Sequence, residues 1–392
     1  MRRDPNVALL GAFWFGIQMV WGALLSISLQ ARTLQLAHSW ALSAYPLLAT
    51  GGAGVAAVTQ IAAGIASDRL RGRGSRRLEF YAAGAVAGAL AVIWFYAAPG
   101  FAQLLASWLV LELALNVAIG PYQAAIPDFV EDRRLGAASA WMAALQNLGN
   151  VAGAIAASFV RTMWETGGLI AAALLLTCGI TNVHLRDLPV RAQQPVPLRF
   201  TRVFGDLFVS RALMYLGFYT LLGYLYFYVA HVVRGQATQN TGLLVIVFLL
   251  AGVLGAAAAG RARDLDRRIT AGAGGGIFII ALIAFLFAPS LGTLAAASAI
   301  AGFGWGVFLT ADWALGCAFL PRGALATAMG IWNLALLVPQ IVAPLAVTGV
   351  LVLLHALRDP NAPRMAFVVA FVEVAAGVAW LRRLPGSRPG DA

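Results

Sequence analysis

The 392-residue chain is poor in charged residues and contains no lysine at all. Charged residues make up 11% of the sequence, whereas a soluble domain carries about 25%. Halving that fraction means that most of the surface faces an apolar environment. Apolar stretches of about 18 or more residues recur from end to end, and each is long enough to cross about 30 Å of hydrocarbon. The composition therefore excludes a soluble protein and predicts an all-α membrane protein.

Cysteine and histidine are also scarce, which limits the chemistry available. The two cysteines, Cys178 and Cys317, lie in apolar stretches and exclude a framework of disulfides. The sequence has no phosphate-binding G-x-x-x-x-G-K-[ST] motif, no H-E-x-x-H motif and no Cys/His cluster. We therefore expect no metal, no cofactor and no ATP-driven step. The net charge of +11 indicates arginine-rich loops beside a lipid bilayer, with no nucleic-acid partner.

Hydropathy predicts twelve transmembrane spans in two groups of six. An N-terminal half (1–183) and a C-terminal half (206–381) are joined by a polar, proline-containing cytoplasmic linker (184–205) and followed by a cytoplasmic tail (382–392). The predicted spans are 7–29, 43–66, 79–98, 101–127, 136–160, 166–183, 206–231, 241–259, 270–288, 291–319, 323–354 and 364–381.

The arginines are distributed unevenly between alternate loops. With the N-terminus inside, the inner segments carry 21 of the 27 arginines and the outer segments carry five. Cytoplasmic loops collect basic residues. The count therefore predicts a multi-pass protein of the cell (inner) membrane with both termini in the cytoplasm.

A repeated motif relates the two halves. Gly64-Ile-Ala-Ser-Asp68 and Gly260-Arg-Ala-Arg-Asp264 both end a span on the inner side, and arginines follow each copy. Related halves predict a substrate site between them, near the middle of the membrane. We expect the glycine to allow close helix approach and the charges to form an inner gate; alternatively, the arginines only bind anionic lipid and set topology. The predicted gate residues are Gly64, Asp68, Arg69, Arg73, Arg76, Arg77, Asp264 and Arg268.

Glu112 is an acidic residue near the middle of the fourth span. A carboxyl group at that depth is costly and therefore a candidate functional group. Burial favours its neutral form, so Glu112 could bind and release a proton, with Asn116 following on the same helix face. The alternative is a protonated acid that makes a structural hydrogen bond between helices.

Charged residues in the second half have several interpretations. Asp312, in span ten, could be a second proton-coupling acid, an ion-pair partner of an arginine or part of a gate. Arg211 is expected to extend to the inner interface from the start of its helix. Glu373, in the last span, is expected to serve packing.

Uncharged polar and aromatic residues recur along several spans and suit a neutral polyol, with helix packing as the alternative role. Tyr215 and Tyr219 share a helix face that suits sugar stacking or a membrane-interface belt, and Tyr224, Tyr226 and Tyr228 are assigned to the belt. The predicted substrate-binding residues are Gln18, Asn116, Gln146, Asn150, Tyr215, Tyr219, Trp332 and Asn333.

Three segments resemble a known family. They are G-I-Q-x-x-W from Gly16, G-x-x-S-D-R-x-x-x-R-x-x-R-R from Gly64, and L-E-x-x-x-N-x-x-x-G-P-x-x-A-x-x-x-D from Leu111. They are similar to motifs of the major facilitator superfamily, and specifically of the sucrose transporter branch of the glycoside–pentoside–hexuronide symporters. The resemblance implies a major facilitator fold, proton coupling through Glu112 and an inner-gate role for Asp128. Glutamate replaces the family's usual aspartate at position 112, and Gln123 stands where plant members often carry arginine.

The expected function is secondary transport by alternating access, as proton-coupled symport of a sugar or glycoside by a monomer. Span two offers only Gln60 where sodium-coupled members carry an acid, so the proton is the expected coupling ion. One alternative is a proton-driven exporter of amphipathic small molecules. Another is a non-transporting membrane protein of the same fold that assembles or binds a partner. None of these functions is enzymatic.

Overall fold

The computed structural model divides the chain into two compact units, Met1–Gln194 and Pro195–Ala392, here called the N-terminal and C-terminal units. The division lies within the segment predicted as a linker, most of which is outside the described residues. The described residues are 6–69, 76–123, 125, 129–130, 135–186, 188, 201–233, 236–261, 265–319, 325–354, 359 and 362–386.

A long helix lies at each of the twelve predicted spans. The N-terminal unit contains α1 (Val7–Ala23, continued by a π turn at Leu24–Ser28 and by Leu29–Ala37), α2 (Ala41–Arg69), α3 (Arg76–Ala97), α4 (Phe101–Tyr122), α5 (Leu135–Phe159) and α6 (Met163–Leu185). The C-terminal unit contains α7 (Arg202–Tyr228, continued by a π turn at Val229–Val233), α8 (Ala237–Arg261), α9 (Arg267–Phe287), α10 (Leu291–Phe319), α11 (Leu325–Leu353) and α12 (Ala362–Trp380).

These helices are long and apolar enough for a membrane. Within the described residues, ten continuous helical stretches meet the length and hydropathy needed to cross a bilayer, and one of them, Val7–Ser67, contains both α1 and α2. Helices suit hydrocarbon because they satisfy every backbone polar group internally. The prediction of an all-α membrane protein is confirmed.

Helix α1 is longer than predicted, because polar residues continue it beyond residue 29. Gln30 and Thr33 are buried, and each donates a hydrogen bond within its own helix: Gln30 Nε2 to the Leu25 carbonyl at 2.7 Å and Thr33 Oγ1 to the Leu29 carbonyl at 2.6 Å. Hydropathy alone assigns such residues to a loop, whereas paired polar groups are tolerated inside a packed helix.

Polar side chains fix where several helices begin. The Asn6 side chain accepts a hydrogen bond from the Ala8 amide at 3.0 Å at the start of α1. Thr162 and Glu165 form a reciprocal capping box at the start of α6, with both hydrogen bonds at 3.1 Å. Asp266 accepts from the Arg268 amide at 2.8 Å at the start of α9. Each cap satisfies amides that the first helical turn leaves unpaired.

The same packing pattern occurs in both units. In the N-terminal unit α1 packs on α5 and α6, α3 packs on α4 and α6, and α2 packs on α4. In the C-terminal unit α7 packs on α11 and α12, α9 packs on α10 and α12, and α8 packs on α10. Each pairing in one unit has its counterpart in the other, so the repeat suggested by sequence extends to tertiary structure.

Close contact between α2 and α4 depends on Gly120. A Cβ atom at Gly120 would come within 2.5 Å of the Gln60 carbonyl oxygen and 3.1 Å of the Gly64 amide nitrogen. A Cβ atom at Gly64 would meet nothing within 4 Å. The expectation that Gly64 itself permits the close approach is therefore wrong, and Gly120 has that role.

Candidate substrate and proton sites

Glu112 lies in the middle of α4, ten to eleven residues, or about 16 Å, from either end of the helix. Its side chain is 6% exposed. Asn116, one turn later and also buried, donates from Nδ2 to Glu112 Oε2 at 3.1 Å and to the Glu112 carbonyl at 2.9 Å. Asn116 is the hydrogen-bond partner of this carboxyl group in the described part of the chain. A buried carboxylate needs a cation or several donors to remain charged, so one amide donor suits a group that gains and loses a proton.

Trp108 holds the helices rigidly one turn away from Glu112. Its Nε1 donates to the Leu48 carbonyl of α2 at 2.8 Å, and its ring meets the edge of Trp21 of α1 with a centroid separation of 6.2 Å. Gly52 of α2 lies so close that a Cβ there would come within 2.8 Å of the indole Cε2. Helices α1, α2 and α4 therefore meet at one indole, which fixes the backbone that carries Glu112.

Polar amides line the contact between α1 and α5. Gln18, Gln146 and Asn150 are partly exposed, and their side chains have no hydrogen-bond partner among the described residues. Gly149 lies against Gln18, with a built Cβ 3.0 Å from the Gln18 Cβ. The backbone of Asn150 lies against Gly22. These amides thus have free donors and acceptors next to a tight helix contact.

Arg211 and Asp312 form an ion pair between α7 and α10. The Arg211 and Asp312 side chains are 1% and 2% exposed, and Arg211 Nη1 donates to Asp312 Oδ2. The expectation that Arg211 extends to the membrane interface is therefore wrong. Its helix begins at Arg202 rather than 206, which places the guanidinium deeper, where a buried partner is required. Of the three interpretations of Asp312, the structure shows an ion-pair partner.

Aromatic rings surround the Arg211 guanidinium. Its Cζ lies 4.4 Å from the Trp332 ring centroid, 5.0 Å from that of Tyr215 and 5.9 Å from that of Trp313. Tyr215 in turn contacts Tyr219, which is partly exposed, at 6.1 Å. Tyr215, Tyr219 and Trp332, all predicted substrate-binding residues, therefore lie around one cation that the prediction did not include.

The ion pair has a neutral counterpart in the N-terminal unit. Gly84 of α3 packs on Ala118 of α4, and Gly274 of α9 packs on Phe308 of α10. Each residue of the second contact lies 190 residues after its counterpart in the first. The same offset places Asp312 of α10 at the position that Tyr122 has in α4.

The first helices of the two units repeat with a different offset. Gly16 of α1 lies against Leu174 of α6, and Gly217 of α7 lies against Ala370 of α12. Gly217 follows Gly16 by 201 residues. The same offset places Arg211 of α7 at the position that Leu10 has in α1. In the N-terminal unit, Tyr122 Oη donates to the Leu10 carbonyl at 2.6 Å. The same contact between helices is thus a neutral hydrogen bond in one unit and an ion pair in the other.

Much of the predicted gate lies outside the described residues. This applies to Arg73, Asp128 and Asp264, and to the side chains of Asp68 and Arg76. The side chain of Asn333, a predicted substrate-binding residue, also lies outside them. Of the remaining gate residues, Arg69 is exposed and Arg77 is buried near the start of α3. Arg268 Nη1 donates to the Leu384 carbonyl at 2.9 Å, which ties the start of α9 to the end of the C-terminal unit. The gate remains a prediction.

The tyrosines at the C-terminal end of α7 are buried within the C-terminal unit. Tyr224 Oη donates to the Pro344 carbonyl at 3.3 Å and Tyr228 Oη to the Ala288 carbonyl at 3.0 Å. Tyr226 shares a hydrogen bond of 3.2 Å with Thr238. The assignment of these three residues to an interface belt is wrong, because their hydroxyl groups connect helices.

Two further buried polar contacts join helices. Thr220 Oγ1 of α7 donates to Glu373 Oε2 of α12 at 2.8 Å, in agreement with a packing role for Glu373. Arg32, counted from the sequence among outer-loop arginines, is 5% exposed. It donates to the Gln35 side chain at 2.7 Å and to the Ala98 carbonyl. Ala98, which precedes α4, is distant from Arg32 in the sequence, so hydropathy could not predict this contact.

Comparison with known proteins identifies the fold and the family. The family model for the Major Facilitator Superfamily matches residues 8–344. No curated protein matches the sequence. The chain is similar to the structure of a bacterial homolog of the human lysosomal transporter Spinster, in its inward-facing and unoccupied conformation (16% identity, 96% of this chain and 95% of that chain, TM-score 0.73).

Two other solved structures show the same fold. One is a variant of the nucleoside transporter NupG (11% identity, 96% of this chain and 99% of that chain, TM-score 0.72). The other is a POT family transporter in complex with 5-aminolevulinic acid (14% identity, 96% of each chain, TM-score 0.73).

Proposed function

The chain belongs to the Major Facilitator Superfamily of membrane transporters, and we propose that it is a proton-coupled symporter of a sugar or glycoside. It works by alternating access, as a monomer in the cell membrane with both termini in the cytoplasm. The orientation is supported by the arginine count, and the choice of substrate by the resemblance of three segments to the sucrose transporter branch. The proton step is supported by one observation above all, the buried pair of Glu112 and Asn116.

Glu112 provides the coupling in this proposal. Its carboxyl group binds a proton from the outer side, and protonation removes the cost of keeping a charge in an apolar environment. Asn116 is able to stay bonded in both states, because its amide donates to a carboxylate or to the carbonyl oxygen of a carboxylic acid. Release of the proton on the inner side restores the negative charge of Glu112. The empty transporter is therefore charged at this position, and the loaded one is neutral.

The partly exposed amides of α1 and α5 supply sugar contacts. A sugar presents many hydroxyl groups, each of which donates and accepts hydrogen bonds, and an amide side chain matches both roles. Gln18, Gln146 and Asn150 have these groups free in the described structure. Tyr215 and Tyr219 offer aromatic faces for the apolar side of a sugar ring.

The test is proton movement in proteoliposomes that contain a pH-sensitive dye. Addition of a transported sugar, found by screening sucrose, maltose and methyl glucosides, should acidify the lumen in the wild type. Glu112→Gln should abolish this acidification and gradient-driven accumulation, but keep counterflow exchange of the labelled sugar. Glu373→Gln is the matched control, because it neutralises another buried carboxyl group outside the proposed coupling site and should retain both activities. Accumulation against a gradient by the Glu112→Gln variant would refute the coupling role.

Export of amphipathic compounds is the second candidate, and an aromatic cluster around Trp305 favours it. Phe218 stacks on this indole at 4.4 Å with the rings 8° from parallel, and Phe278 lies at 5.6 Å. Such faces bind apolar rings. In the same liposomes, an exporter would move hydrophobic dyes against a proton gradient and show no response to any sugar.

A further inference from the structure

We propose that the Arg211 guanidinium is a binding site for a carboxylate group on the transported solute, and that Asp312 occupies this site in the solute-free protein. The proposal rests on the transport function and adds a chemical class to its substrate: a solute with a hydroxyl-rich body and one acidic group. The observations that support it all lie in the C-terminal unit.

Two buried donors in this site have no acceptor among the described residues. Arg211 gives Nη1 to Asp312, but its Nε–H has no hydrogen-bond partner, although the residue is 1% exposed. The Nε1–H of Trp332, which is fully buried, also has none. Buried donors are normally satisfied, and each exception calls for an explanation. Both groups can only donate, so the missing partner is an acceptor.

The geometry of the site favours a carboxylate as that acceptor. A guanidinium group binds a carboxylate through two parallel hydrogen bonds, and the planar fork holds it in a fixed orientation. The Trp332 ring lies 4.4 Å from the guanidinium carbon, so its indole belongs to the same small site. The rings of Trp332 and Tyr215 also stabilise the cation through their π faces, which keeps Arg211 in place when Asp312 leaves.

Helix packing alone does not require the charges. The corresponding contact in the N-terminal unit is made by Tyr122 and the Leu10 carbonyl, with no charge on either side. Moreover, a buried ion pair often adds nothing to stability, because the desolvation of two charges offsets their attraction. An ion pair at this place in one unit only is therefore better explained by binding than by folding.

Solute exchange follows from this arrangement. A solute carboxylate and the Asp312 carboxylate compete for the same guanidinium, so the site is closed by an internal ligand when no solute is present. Tyr219 contacts Tyr215 and is partly exposed, so the two rings lead from the accessible surface to Arg211. The hydroxyl-rich part of the solute would remain along these rings while its acidic group reaches the cation.

Calorimetric titration of the purified full-length protein in detergent tests the site with two probes that differ in one group. Gluconate and sorbitol share a six-carbon polyol chain, and only gluconate has a carboxylate. Asp312→Asn removes the internal competitor and should tighten gluconate binding about tenfold or more, with no change for sorbitol. Acetate in millimolar amounts should compete with gluconate.

The control variant keeps the shape of the site without its charges. The double substitution Arg211→Gln with Asp312→Asn should bind gluconate no better than sorbitol, and it avoids the unpaired buried carboxylate that Arg211→Gln alone would leave. Equal binding of the two probes by the single variant Asp312→Asn, a gluconate preference in the double variant, or no binding of gluconate by any of the proteins would each overturn the proposal. Since no gradient is present, the result is independent of whether Glu112 couples protons.

Discussion

The contact between α8 and α10 offers a sharp test of the packing, through the substitution Gly306→Ala. A Cβ atom at Gly306 would overlap the carbonyl oxygen of Gly252, and a Cβ at Gly302 would overlap that of Phe248. These obstacles are backbone atoms within a helix, so they cannot rotate away as the end of a side chain could. A single methyl group must therefore push the two helices apart.

The expected magnitude comes from two opposing effects. Alanine is a better helix former than glycine by about 1 kcal/mol, which favours the variant. Overpacking in a tight contact costs about 1–3 kcal/mol and sometimes more, and separation of the helices also removes the van der Waals contacts that hold membrane helices together. Gly272 of α9 provides the matched control, since its Cβ would meet nothing within 4 Å. Both variants gain the same helix propensity, so they should differ by the overpacking cost of about 1–3 kcal/mol, with Gly272→Ala the more stable.

Thermal unfolding in one detergent, followed for both variants side by side, measures this difference. For a domain of about 200 residues, it corresponds to a gap in Tm of roughly 2–12 °C. Gly306→Ala should unfold below the wild type and Gly272→Ala at or slightly above it. Equal midpoints for the two variants would show that α8 and α10 do not meet as closely as described.

Two further substitutions test individual hydrogen bonds by the same thermal assay. Trp108→Phe keeps an aromatic ring but removes the donor to the Leu48 carbonyl, and should cost about 1–2 kcal/mol; no loss would mean that this bond does not hold α2 to α4. Thr220→Val removes the donor to Glu373 and should cost about 1 kcal/mol, whereas Glu373→Gln keeps an acceptor for Thr220 and should be close to neutral; an equal loss in both would contradict a packing role for this pair.

The sequence predicted the helices well because one physical requirement dominates them. A segment in hydrocarbon must be apolar for about 20 residues and must pair its own backbone N–H and C=O groups. Both requirements can be recognised in the amino-acid sequence alone. The prediction failed where tertiary partners override hydropathy. The end of α1 is such a place, since Gln30, Arg32 and Thr33 are polar yet buried beside groups that satisfy part of their polarity.

The same difference between local and tertiary partners separates the two candidate sites. Glu112 was identifiable because an acid in the middle of a span is costly wherever its neighbours lie, and its partner Asn116 is only one turn away. Arg211 was missed because its partner Asp312 is 101 residues distant and on another helix. A long cationic side chain near a helix end is compatible with both an interfacial and a buried position, and only tertiary packing decides between them.

The contrast between the ion pair and its neutral counterpart leads to a prediction about stability. Arg211→Leu alone leaves Asp312 as an uncompensated buried charge and should lower the free energy of unfolding by about 3–5 kcal/mol. Arg211→Leu combined with Asp312→Tyr introduces the residues found at Leu10 and Tyr122, where a hydroxyl group bonds a helix carbonyl. Because no charge remains, the double variant should recover most of that loss.

Thermal unfolding of the single and double variants in the same detergent decides the point. Recovery in the double variant, together with loss of gluconate binding, would separate the two roles of this contact: packing would need only a matched pair of groups, and the charges would serve the solute. A double variant as unstable as Arg211→Leu would show instead that the ion pair itself holds α7 to α10. In that case the neutral contact of the N-terminal unit would not be a sufficient substitute, and the difference between the two units would no longer support a binding role for the charges.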